Sequence, residues 1–116
     1  MKKHLVVITA EQYFLLKNYM VEIKDTLQND IYLKEFYKAF AIDSNIKLER
    51  GARLFDNPTC TVEFYLKHNQ TILSTVGLFC REQAIDQYKN NPRLSKALSI
   101  LKNYIASELI DILNLR

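Results

Sequence analysis

Residues 60 to 80 read CTVEFYLKHNQTILSTVGLFC, and the fold turns on how this stretch is parsed. In its first half Cys60, Val62, Phe64 and Leu66 alternate with Thr61, Glu63, Tyr65 and Lys67, the period of two that a half-buried strand imposes. His68-Asn69-Gln70 then reads as a turn. Beyond it Ile72, Ser74, Val76, Leu78 and Cys80 alternate with Thr71, Leu73, Thr75, Gly77 and Phe79, so the same period predicts another strand. Upstream, Ile46, Leu48, Ala52 and Leu54 alternate with Lys47, Glu49, Gly51 and Arg53, and Asp56-Asn57-Pro58 turns the chain toward Cys60. For apolar residues to share one face, Val62 is expected opposite Val76, Leu66 opposite Ile72, Ala52 opposite Val62 and Leu48 opposite Leu66. Arg50 is the polar exception on that inner face and reaches water along its stem from an edge strand.

Outside this region the period is helical. Lys3 to Ile8 is apolar and β-branched, and Thr9 with Gln12 three residues later forms a capping-box signature, so a short strand feeds a helix near residue 10. Tyr13, Leu16, Met20, Ile23 and Leu27 make its apolar stripe. Asp30 is the N-cap of a second helix carrying Leu33, Phe36, Tyr37 and Phe40, which ends near Asp43-Ser44-Asn45. After Cys80 a helical pattern returns with Ala84, Ile85 and Tyr88. Asn91-Pro92 then opens a final helix whose main stripe is Leu94, Leu98, Leu101, Ile105, Leu109 and Ile112. The expected architecture is α+β: a three- to four-stranded antiparallel meander with helices on one face and a long C-terminal helix, in a single domain spanning 1–116.

Composition narrows the function classes. The chain has 116 residues, 48% hydrophobic and 25% charged, which fits one folded, water-soluble domain rather than a disordered or membrane-spanning chain. Its 2 glycines, Gly51 and Gly77, lie far apart, so neither a Rossmann nor a Walker phosphate loop can be built. The apolar run Leu5 to Ala10 is too short for a secretory leader, and a cytoplasmic location is expected. Cys60 and Cys80, expected as reduced thiols, form no zinc motif with His4 and His68 at a recognised spacing. No cofactor and no metal site is expected from the spacing of these residues.

Candidate chemistry is sparse. Net charge is +3, and the most basic stretch carries Arg81, Lys89, Arg93, Lys96 and Lys102, a candidate nucleic-acid patch. Tyr32, Phe36, Tyr37 and Phe40 lie among Lys34 and Lys38, yet their helical spacing assigns the aromatics to the core and the lysines to solvent. Cys80 is expected to precede a helix, where a thiol can be activated, but its inward register makes it a buried structural cysteine. An active site would need Cys80, His4 or His68 to converge with acids in one cleft.

The order helix, three-stranded antiparallel meander, helix over about residues 10 to 90 resembles the double-stranded RNA-binding domain. Of that family's phosphate-gripping motifs, only Pro58, Arg81 and Ala84 have counterparts here, so the resemblance extends to architecture and carries no site. The reading that remains is a non-catalytic protein-binding module, an inhibitor, immunity or accessory protein that occupies a partner's surface. Ile100, Tyr104, Ile110 and Leu113 widen the apolar arc of the last helix and are the expected contact residues, for a protein partner or for a homodimer. The alternative is a nucleic-acid-binding regulator using the basic stretch 81–102; no membrane role is expected.

Overall fold

The computed structural model of the protein describes residues 1–48, 51 and 56–114. Strand β1 (Lys2–Thr9) leads into α1 (Ala10–Glu22), a short α2 (Lys24–Leu27) and α3 (Ile31–Tyr37), whose last turn widens into a π-helical turn over Lys38–Ile42. Strands β2 (Asn45–Leu48) and β3 (Thr59–Leu66) follow, then two long helices, α4 (Gln70–Gln87) and α5 (Pro92–Asn114).

The local signals act where the sequence places them. Thr9 Oγ1 accepts from the Gln12 amide while the Gln12 side chain accepts from the Thr9 amide, so the capping box closes the start of α1. Asp30 accepts from the amides of Tyr32 and Leu33 at the start of α3. Asn91 accepts from the Leu94 amide, and Pro92 occupies the first position of α5, where its missing N–H costs nothing.

The sheet is antiparallel in the order β1-β3-β2, so β3 is the central strand. Lys2 faces Leu66, His4 faces Phe64, Val6 faces Val62 and Ile8 faces Cys60 across β1 and β3. On the other side Ile46 faces Val62 and Leu48 faces Cys60. The parity argument is therefore met with a different register: Leu48 pairs with Cys60 and not with Leu66. Ala52, Leu54, Arg50, Glu49 and Arg53 lie outside the described residues. Buried His4, Val6, Ile8, Cys60, Val62, Phe64 and Leu66 share the inner face, against which the helices pack. On the outer face Lys3 and Lys47 approach the Glu63 carboxylate at 3.6 and 3.2 Å, between exposed Leu5, Val7 and Tyr65.

The strand predicted over Thr71 to Cys80 is a helix. Its buried residues are Ile72, Leu73, Val76, Phe79, Cys80 and Ala84, a helical and not an alternating set. Asn69, read as part of a hairpin turn, is the N-cap and accepts from the Ile72 amide at 2.9 Å. As a strand this segment would turn Leu73 and Phe79 to solvent; as a helix it buries both, and its contact with α5 is the most extensive between any two elements. That gain outweighs the β preference of Thr71, Ile72, Thr75 and Val76. With this strand gone, the pairings of Val76 and Ile72 fall, and the likeness to the double-stranded RNA-binding domain falls with them. The third strand comes from the N-terminus instead.

One cluster of buried apolar residues runs through all the layers. At its centre Phe36, Phe40 and Phe64 meet at ring-centroid distances of 5.4 to 6.4 Å, mostly edge-on, as aromatic quadrupoles prefer. Among the described residues no helix is long and apolar enough to cross a membrane.

Candidate functional site

His4 occupies an inward position of β1, facing an otherwise apolar core, and its side chain is fully buried. Its ring stacks on Phe64 at 5.2 Å and 21°. Tyr104, from the middle of α5, meets the ring edge-on and places its hydroxyl 2.8 Å from His4 Nδ1. One turn further along α5, Glu108 accepts from the Lys2 ammonium at 2.8 Å. His68, just past the end of β3, brings Nδ1 to 3.6 Å from the same Glu108 oxygen, and its ring lies 5.8 Å from that of His4. One donor atom from each of His4, His68 and Glu108 falls within 4.8 Å of the other two.

The electrostatics follow from burial. Desolvation pushes the His4 pKa below its usual value, with the Glu108 carboxylate opposing, so a neutral imidazole with one acceptor nitrogen is favoured. Desolvation also raises the Tyr104 pKa, and Glu108 adds to that, so the hydroxyl keeps its proton. For Glu108 burial works upward, but the Lys2 ammonium and the Tyr104 hydroxyl outweigh it and hold the carboxyl below its ordinary value. His4 Nε2 and His68 Nδ1 are buried without a hydrogen-bond partner. The result is a carboxylate, two imidazoles, a phenol and a replaceable ammonium in one place. Such a set can hold a cation or move a proton between neighbours.

The cluster uses residues the sequence offered singly. His4 and His68 converge, as an active site would require, while Cys80 does not join them. Cys80 lies inside α4 and not before it, fully buried, with burial alone raising its pKa to about 12. A thiol so placed is not a nucleophile. Glu108 escaped notice because nothing in its neighbourhood marks it. The available signal was His4, a polar residue at an inward position of an apolar strand.

The four predicted contact residues separate. Ile100 and Tyr104 are half-buried and pack against the core on the flank of α5 nearest His4. Ile110 and Leu113 are about half exposed, at 55% and 47%, on the opposite flank. The basic stretch divides as well. Arg81 and Lys102 line a groove between α4 and α5, Lys89 borders a cleft of about 610 Å³ at the α4–α5 turn, and Lys96 lies with Arg93 beside Glu11. Arg93 is bonded there, with Nη1 3.2 Å from the Glu11 carboxylate. The five cations thus line three different depressions. The chain matches no family model, no curated protein and no solved structure.

Proposed function

We propose that the chain is a small non-catalytic protein-binding module, of the inhibitor, immunity or accessory kind, whose docking surface is the groove between α4 and α5. The observation that carries the reading is the lining of that groove. Its walls are Leu73, Gly77, Leu78, Ile105, Ala106 and Leu109, with one hydroxyl from Ser74, around about 260 Å³, and its only charged lining residues among those described are Arg81 and Lys102. Neither cation forms an ion pair among the described residues. Gly77 deepens the groove: a Cβ there would touch Ile105 at 3.4 Å. Leu78 is 54% exposed on one wall, and Ile110 and Leu113 prolong the other wall one turn beyond Ala106 and Leu109.

An apolar trough rimmed by two cations suits an amphipathic segment of a partner that carries acidic residues beside its apolar face. A second copy of this chain is the poorer occupant, because it would bring a second Arg81 and Lys102 to the same place. A partner of that chemistry fits occupation of a surface better than catalysis, and a nucleic acid would need the cations gathered on one track.

The test compares affinity capture by the wild-type chain, Arg81→Glu/Lys102→Glu and Ile110→Lys/Leu113→Lys, with cross-linking to map the contact and light scattering for mass. Support is a stoichiometric partner cross-linked through an acidic amphipathic segment and lost from both variants. Capture unchanged by the variants, nuclease-sensitive nucleic acid in its place, or a doubled mass abolished by Ile110→Lys/Leu113→Lys would each overturn it.

A further inference from the structure

The grouping of His4, His68 and Glu108 lies on the other flank of α5 from the groove and has no part in docking there. Three features set it apart from an ordinary buried ion pair. Its donors are two imidazole nitrogens and a carboxylate oxygen from three separate segments of the chain, within 4.8 Å of one another. That is a ligand set zinc-class ions accept, with three protein ligands and an open position for water. Two of the imidazole nitrogens around it, His4 Nε2 and His68 Nδ1, are buried without a hydrogen-bond partner, the second with only the Glu108 carboxylate at 3.6 Å, a state proteins seldom leave uncompensated. And the carboxylate already holds a cation, the Lys2 ammonium at 2.8 Å, on a side chain 44% exposed that can swing into water.

We propose that His4, His68 and Glu108 form a binding site for one divalent transition-metal ion of the zinc class, which takes the place of the Lys2 ammonium on Glu108. In a tetrahedral zinc site with bonds of about 2.1 Å the donors stand about 3.4 Å apart, so the present arrangement must contract. His4 is the fixed wall of the site, stacked on Phe64 and held at Nδ1 by Tyr104. His68 and Glu108 are the adjustable parts, with side chains 21% and 14% exposed. The Tyr104 hydroxyl supplies the outer support that metal-binding histidines usually have. Bound metal would tie the start of β1, the end of β3 and the second half of α5 together, and would stabilise the folded chain by an amount that rises with the logarithm of its concentration above Kd.

The experiment titrates the chelator-treated chain with zinc by calorimetry, and with cobalt by visible absorption, which reads coordination geometry directly. The expected result is one ion per chain, a cobalt spectrum of tetrahedral intensity, and a melting temperature that rises with zinc. His68→Ala and Glu108→Gln lie at partly exposed positions, and their folding is checked by circular dichroism; each should weaken affinity by tenfold or more. Lys2→Met should tighten it by removing the competing cation, an effect that a generally destabilised variant would not produce. Absence of saturable binding, or binding that His68→Ala and Glu108→Gln leave unchanged, would overturn the assignment and leave the cluster as a hydrogen-bond network only. Neither result bears on the groove, whose variants are on the opposite flank.

Discussion

The Nδ1 atom of His4 and the hydroxyl of Tyr104, 100 residues apart in the sequence, meet at 2.8 Å. The contact joins the first strand to the last helix across the sheet face that α5 covers. It also satisfies a polar atom on a fully buried ring, where an unpaired nitrogen would cost about 1–3 kcal/mol. Tyr104→Phe keeps the ring and removes the partner. It should lower the unfolding free energy by about 1–3 kcal/mol in urea titration with an unchanged denaturant slope. An unchanged midpoint would show that the bond adds nothing net.

The helical state of residues 70–87 has a direct test. Leu73 is fully buried and neighbouring Ser74 is exposed, so Leu73→Ala should cost about 2–5 kcal/mol and Ser74→Ala almost nothing. Asn69→Ala should cost about 1 kcal/mol through the lost cap, and Asn69→Asp should restore it. Equal effects at 73 and 74 would contradict the helix.

Thiol chemistry reports on the core. Burial raises both cysteine pKa values, that of Cys80 to about 12, and both residues are free and buried. At neutral pH a disulfide reagent should leave the native chain unlabelled and modify both thiols once urea unfolds it. Fast labelling of a single thiol in the native state would mean that β3 or α4 opens locally.

The outer sheet face should respond to acid. Hydrogen bonding to Lys47, then the charge of Lys3, outweighs partial burial and holds the Glu63 carboxyl below its usual 4.5. A carboxyl with a depressed folded pKa binds fewer protons folded than unfolded, so its contribution is full above 4.5 and is lost as pH falls through the lower folded value. The difference in urea midpoint between wild type and Glu63→Gln should therefore be largest near neutral pH and vanish in strong acid. Both cations are exposed to solvent, so added salt should shrink it as well. A difference that grew on acidification would refute the ion pairs.

Much of the fold was legible because its signals are local. A cap acts on amides two or three residues away, so Thr9 with Gln12, Asp30, and Asn91 with Pro92 could be read directly and stand where they were expected. Strand parity is local too, and it put Val62, Phe64 and Leu66 on the inner face. The segment 71–80 carried two valid patterns at once. Asn69 could turn a hairpin or cap a helix, and its apolar residues fit either period. The choice fell to what lay opposite, the core formed by the sheet and the other helices, into which two helical turns bury Leu73, Val76, Phe79 and Cys80 together. The same limit hid the grouping of His4, His68 and Glu108. Short-range chemistry along the chain determined the caps, the first strand, the C-terminal helix and the inward parity of β3. Which strand completes the sheet, which flank of α5 faces water, and which polar residues meet were decided by tertiary packing, because those contacts join residues that no local pattern couples.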